Sequence, residues 1–128
     1  MPGKSLKKTV LIIEDEPDLR QFASWVLGAE GYQVIQASDG EEGLELARQH
    51  HPDFVLLDIS LPRRDGWSVL EVIKGTPALA AVPVVLFTAS AATTHEDKAL
   101  KMGASDYLVK PLSAEVLRTC VARIIPQD

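Results

Sequence analysis

The chain carries one cysteine, Cys120, among 128 residues, so no disulfide can form within it, and a reducing, cytoplasmic setting is expected. It has no apolar run near the ~20 residues needed to cross a bilayer. The opening Met1-Pro2-Gly3-Lys4-Ser5 lacks the apolar core of a signal peptide, and no membrane partner is expected. Positive charge is scarce too: a net charge of -5 argues against nucleic-acid binding through the surface as a whole. No P-loop, GxSxG or HExxH motif is present, and no glycine-rich turn follows the first apolar run. What the chain does have is 46% hydrophobic residues, a mean hydropathy of +0.06 and the length of one ordinary domain, so residues 1–128 are read as a single folded unit.

The acids are unevenly placed. Between Glu14 and Asp58 there are eleven acids and two bases, whereas the rest of the chain has seven acids and eleven bases. Solvated helix faces are the ordinary explanation of such a stretch, so its meaning depends on where the chain places it.

Five apolar runs, Val10 to Ile13, Val34-Ile35, Phe54 to Leu57, Val84 to Phe87 and Tyr107 to Val109, are rich in Val, Ile and Phe and mostly do not alternate. That is the pattern of strands covered on both faces. Helical spacing lies between them. Leu19, Phe22, Ala23, Val26 and Leu27 follow the i, i+3, i+4, i+7, i+8 rule, and Val116, Leu117, Cys120, Val121 and Ile124 repeat it. Asp39 to His50, Gly66 to Lys74 and Thr93 to Met102 supply the remaining helices. Pro17 opens the first helix after Glu16, Gly31 closes it, Asp39 and Ser113 cap the second and last, and Gly103 ends the fourth. Pro52 and Pro83 precede strands. Strict βα alternation predicts an α/β, doubly wound parallel sheet with helices on both faces.

Such sheets bind ligands beyond the carboxyl ends of their strands, where the strand order reverses; in the five-stranded order 2-1-3-4-5 strands 1 and 3 flank that point. Strand 1 runs into Glu14-Asp15, strand 3 into Asp58, strand 4 into Thr88 and strand 5 into Lys110-Pro111, whereas strand 2 runs into Ala37-Ser38. Three carboxylates, a hydroxyl and an ammonium are thereby expected at one edge. Carboxylates gathered so closely repel unless a cation joins them, and Mg²⁺ takes such oxygen ligands together with water and phosphate oxygens. Three carboxylates, one lysine and one Mg²⁺ balance, leaving room for a phosphoryl group of about -2 charge.

Glu14-Asp15, Asp58 with Ile59-Ser60-Leu61-Pro62 and Asp65-Gly66, Thr88-Ala89, Tyr107 and Lys110-Pro111 together resemble the receiver domain of two-component response regulators. The resemblance spans about Lys7 to Ile125, taken as the ordered core, and implies the flavodoxin-like 2-1-3-4-5 sheet with five helices. It implies that Asp58 accepts a phosphoryl group from the phosphohistidine of a sensor histidine kinase or histidine phosphotransfer protein. It also implies that Glu14, Asp15, Asp58 and the backbone carbonyl of Ser60 hold Mg²⁺, with Mn²⁺ as an alternative. The usual first acid of the family is aspartate, so the longer Glu14 is expected to act directly or through water. Lys110 would pair with Asp58 and then with the phosphoryl group, beside a cis bond to Pro111. Thr88 would donate its hydroxyl, Tyr107 would turn into the space Thr88 leaves, and helix 4, strand 5 and helix 5 would report the change to a downstream protein or a fused output domain. Ser60, Ala89 and Ser90 would tune the lifetime of the phosphoryl group.

On this reading the chain is a signalling domain rather than an enzyme, with no output domain expected within residues 1–128, as in a stand-alone receiver or one excised from a larger regulator or hybrid kinase. A silent receiver-like interaction module is the alternative, opposed by Glu14, Asp15, Asp58 and Lys110 all being present. An aspartate-nucleophile phosphatase would carry a second Asp where Ser60 stands. His50, His51 and His95 lack metal-ligand spacing, Trp25 is read as packing or surface, Trp67 as a neighbour of the loop after strand 3, and Arg63-Arg64 as a solvated pair.

Overall fold

The computed structural model describes residues 7–88 and 94–126. In chain order the elements are β1 (Thr9–Ile13), α1 (Pro17–Ala29), β2 (Gln33–Ala37), α2 (Gly40–His50), β3 (Phe54–Asp58), α3 (Gly66–Gly75), β4 (Val84–Thr88), α4 (Thr94–Lys101), β5 (Asp106–Val109) and α5 (Ala114–Ile124). The five strands form one sheet in the order β2-β1-β3-β4-β5, every neighbouring pair parallel. This is the doubly wound parallel sheet expected from the alternation of elements, in the flavodoxin-like order that the resemblance implied.

Period-two geometry explains both the apolar runs and the two cores. Leu11, Ile13, Val55, Leu57 and Leu86 point to the side covered by α2, α3 and α4, where Leu44, Val69, Leu70, Ile73 and Ala99 meet them. Val10, Ile12, Phe54, Leu56, Val85 and Phe87 point to the other side, against Ala23, Val26, Leu27, Leu117, Cys120 and Val121 of α1 and α5. With each such large side chain worth about 1.5–3 kcal/mol on burial, the three central strands β1, β3 and β4 anchor the sheet.

The edge strand is longer than its apolar run: β2 extends to Gln33 and Ala37, and its first four residues are exposed or half-buried. An edge strand has one neighbour and needs fewer apolar positions, which is why Val34-Ile35 alone understated it. Asp39, Asp65 and Ser113 each accept a backbone N–H three residues on, capping α2, α3 and α5. Pro17 occupies the first turn of α1 behind Glu16, and Gly31 and Gly103 follow α1 and α4 with φ of 98° and 99°. His51 ends α2 in the left-handed region at φ 46°, a role usually given to glycine.

Register places the strand ends in a row. Ile13 lies opposite Leu57, Asp58 opposite Phe87, and Thr88 opposite Val109, so the residues following or ending these strands emerge side by side. No helix among the described residues is long and apolar enough to cross a membrane.

Candidate functional site

Each strand end delivers its side chain through a defined backbone contact. After β1, the Glu14 N–H donates to the Ala37 carbonyl at 3.0 Å, which extends the β1–β2 ladder by one residue and turns the side chain inward. Glu14 is 1% exposed, while its neighbour Asp15 is exposed. Oε2 of Glu14 accepts the Glu16 N–H at 2.8 Å, and Oε1 lies 3.1 Å from Lys110 Nζ, out of hydrogen-bonding alignment. Asp58, 2% exposed at the end of β3, accepts the Ser60 N–H on Oδ1 at 3.1 Å and faces Lys110 Nζ with Oδ2 at 3.4 Å. The Lys110 N–H in turn donates to the Thr88 carbonyl at 2.7 Å, locking the ends of β4 and β5 together. The ammonium also stands 5.2 Å from the Phe87 ring centroid, and the Lys110–Pro111 peptide bond is cis.

Glu14, Asp15 and Asp58 each offer a carboxylate oxygen, and these oxygens lie within 4.8 Å of one another. Two of the three acids are buried, and Lys110 is the cation ion-paired with both of them. This donor set suits a hard divalent cation: all oxygen, clustered, with a buried Glu14 oxygen that no hydrogen bond among the described residues satisfies.

The electrostatics carry the same signature. Burial, helped by the Asp58 charge and opposed by the Glu16 N–H and Lys110, pushes the Glu14 carboxyl from 4.5 up to about 7. Burial alone would lower the Lys110 ammonium, but the Glu14 and Asp58 carboxylates outweigh it and raise the group. The folded chain holds the Glu14 proton more tightly than the unfolded chain does. Its contribution to stability is therefore full below pH 4.5 and is lost as pH rises through about 7. In EDTA, Glu14→Gln is expected to be more stable than wild type by about 1–2 kcal/mol at pH 8, less than the full shift because the amide must also be accommodated. The difference should vanish toward pH 4.5; urea unfolding across this range measures it, and a difference independent of pH contradicts the assignment.

Thr88 is buried at the end of β4. Tyr107 is 8% exposed, packed in the core on the α2–α4 side, with its hydroxyl buried and without a hydrogen-bond partner among the described residues. Burial, with Glu96 nearby, raises its phenol pKa. Ser60 is exposed and donates its N–H to Asp58. Ala89 and Ser90 lie outside the described residues.

Arg20 was missed in the sequence, Gly66 was noted only as part of the motif, and Arg64 was misread. Arg20, one of only two bases in the acidic stretch, reaches back from α1 and donates from Nη1 to the Glu14 carbonyl at 2.9 Å, with the Asp15 carbonyl at 3.4 Å. Its sign among so many acids was the available signal. Gly66 fits where a Cβ would stand 2.4 Å from the Asp58 carbonyl oxygen. Arg64 is not part of a solvated pair: its Nε donates to Glu41 and its Nη1 to Ser68, both at 2.8 Å, joining α2 to α3, while Arg63 remains mostly exposed with φ 69°. Trp25 is a surface residue, 74% exposed. Trp67 is half-buried against α4 rather than merely close to the loop after β3.

Known proteins are similar to this chain over most of its length. The family model for the response regulator receiver domain matches residues 10–122. The "Polar-differentiation response regulator DivK" of Brucella ovis is 38% identical over 109 residues, covering 84% of this chain and 88% of DivK. The "Probable transcriptional regulator ycf27" of Guillardia theta is 38% identical over 119 residues, 93% of this chain but 46% of that protein, so the chain spans about half the length of the ycf27 regulators. Among solved structures, the Vibrio cholerae chemotaxis protein CheY4 superposes with a TM-score of 0.88 at 26% identity, covering 94% of this chain and 100% of CheY4. A receiver domain protein from Clostridium thermocellum does so at 0.84 and 30% identity, covering 92% and 94%.

Proposed function

Since the chain belongs to the response regulator receiver domain family, we propose that Asp58 is its phosphoacceptor, charged by a histidine kinase or histidine phosphotransfer protein. The observation that carries this reading is the buried Asp58 carboxylate held between the Ser60 N–H and the Lys110 ammonium. The Ser60 N–H fixes Oδ1, leaving Oδ2 as the nucleophile. Oδ2 attacks the phosphorus of the phosphohistidine, the P–N bond breaks, its electron pair stays on the imidazole nitrogen, and an acyl phosphate forms at Asp58.

Lys110 then exchanges the Asp58 carboxylate for a phosphoryl oxygen, a short movement because its backbone is pinned to Thr88. The Thr88 hydroxyl donates to a second phosphoryl oxygen. Asp15, Asp58, the Ser60 carbonyl and Glu14, directly or through water, would hold Mg²⁺ or Mn²⁺. When bound there, such an ion would supply positive charge to offset the clustered carboxylates and the phosphoryl oxygens. Without it, Asp58 must accept a dianion beside Glu14 and Asp15 with only Lys110 to offset them.

Recruitment of Thr88 would leave space for Tyr107, whose ring is held by packing alone because its hydroxyl has no hydrogen-bond partner among the described residues. A Tyr107 shift alters the α4–β5–α5 surface, which a downstream protein or a fused output domain would read. Ser60, Ala89 and Ser90 would set the hydrolysis rate of the acyl phosphate.

Mapping the modified residue tests the assignment. After incubation with acetyl phosphate and Mg²⁺, borohydride reduction should convert the acyl phosphate to homoserine, and peptide mass analysis should find it at position 58. Homoserine elsewhere overturns the assignment, and its absence despite measurable Mg²⁺ binding favours the silent interaction module.

A further inference from the structure

One cluster near the site has no part in the chemistry above. The Trp67 ring, in the first turn of α3, is flanked by two residues of α4: Lys98 Nζ lies 4.3 Å from the ring centroid, and the His95 ring meets it edge-on at 5.9 Å and 75°. Lys98 and His95 are three apart, so one face of α4 grips one side chain. Both ends of this contact bear on the phosphoacceptor. Trp67 follows Gly66, which is seated against the Asp58 carbonyl and the Ile59 Cα with no room for a side chain. On the other side, α4 begins at Thr94, six residues beyond Thr88 at the end of β4.

The His95 ring packs edge-on against Trp67, while its Nδ1 is buried without a hydrogen-bond partner among the described residues. A buried polar atom left in that condition favours any displacement that exposes it. The start of α4 is therefore held by the Trp67 contacts while another position would satisfy His95. Meanwhile Lys110 rests on Glu14 and Asp58, the pairing that phosphoryl transfer would break.

We propose that Trp67 and Lys98 form a latch that holds α4 in its resting position and sets how readily Asp58 is charged. This rests on Asp58 being the phosphoacceptor. Charging draws in Thr88 at the end of β4, α4 shifts, and the ammonium leaves the indole face. The strength of the cation–π contact is then a tax on the charged state, independent of the chemistry at Asp58.

Beryllofluoride, formed from beryllium chloride and fluoride with Mg²⁺, serves as the phosphoryl probe. Its occupancy is read by ¹⁹F NMR, and Trp67 emission is read in Trp25→Phe, where Trp67 is the remaining tryptophan. Lys98→Met should raise the apparent affinity about two- to fivefold. Lys98→Arg, which keeps a cation over the ring, should restore the wild-type value, and Lys101→Met on the same helix should leave it unchanged. Trp67 emission should change on saturation. Equal affinities for Lys98→Met and wild type, equal effects of Lys98→Met and Lys101→Met, or unchanged emission with a bound ¹⁹F signal would each overturn the latch while sparing the phosphoacceptor. Absence of any bound ¹⁹F signal in wild type would overturn both.

Discussion

Asp58→Asn is expected to carry no phosphoryl group after acetyl phosphate treatment, and the wild-type chain in EDTA is expected to gain one at least about a hundredfold more slowly than in Mg²⁺. The two effects have different origins. The first removes the nucleophile: an amide oxygen at position 58 keeps the Ser60 N–H contact but cannot form a stable acyl phosphate. The second leaves the nucleophile and removes its counter-charge. Glu14, Asp15 and Asp58 bring carboxylate oxygens within 4.8 Å of one another, and a phosphoryl group adds about two further negative charges to a largely buried site. At 4 Å, even with the effective dielectric of about 20 found near protein surfaces, one like-charge pair costs about 4 kcal/mol, so Lys110 alone is outmatched. Intact-mass time courses measure both. Equal rates with and without metal, or an adduct on Asp58→Asn, would contradict the assigned chemistry.

Gly66→Ala is expected to cost about 3 kcal/mol of stability, although alanine is the better helix former. The added Cβ would stand 2.4 Å from the Asp58 carbonyl oxygen and 2.6 Å from the Ile59 Cα. Both are backbone atoms, so neither can move without shifting the end of β3 or the start of α3. The Gly66 N–H also donates to the Ile59 carbonyl at 2.8 Å, which ties the two segments together. A shift would carry Asp58 away from Lys110, so the variant should lose charging rate as well as stability. Urea unfolding with an acetyl phosphate time course reads both. A variant as stable as wild type would show that the close approach relaxes at little cost.

The strands were legible because burial on both faces leaves a chemical mark: Phe54 to Leu57 and Val84 to Phe87 have no polar residue to interrupt them. The site was legible for the complementary reason. Glu14, Asp58, Thr88 and Lys110 are polar residues that end such runs, and a parallel sheet brings like ends together. The orientation of adjacent acids was not legible. Glu14 and Asp15 look equivalent as letters, yet the Ala37 and Glu16 contacts turn Glu14 into the interior and leave Asp15 exposed. Nor were the roles of Arg20, Gly66 and Arg64 legible, even though Gly66 belongs to the recognised motif, because those roles lie in contacts between elements. Arg64 reaches Glu41 across twenty-three positions, and Gly66 matters only once α3 has docked on β3.

The most direct measurement is a crystal structure with beryllofluoride and Mg²⁺ bound. The account predicts beryllium on an Asp58 carboxylate oxygen, a cation shared by Asp15 and Asp58, and the Lys110 ammonium moved from the carboxylates onto fluoride. Beryllofluoride on another residue, or a cation bound away from Asp15 and Asp58, would contradict it.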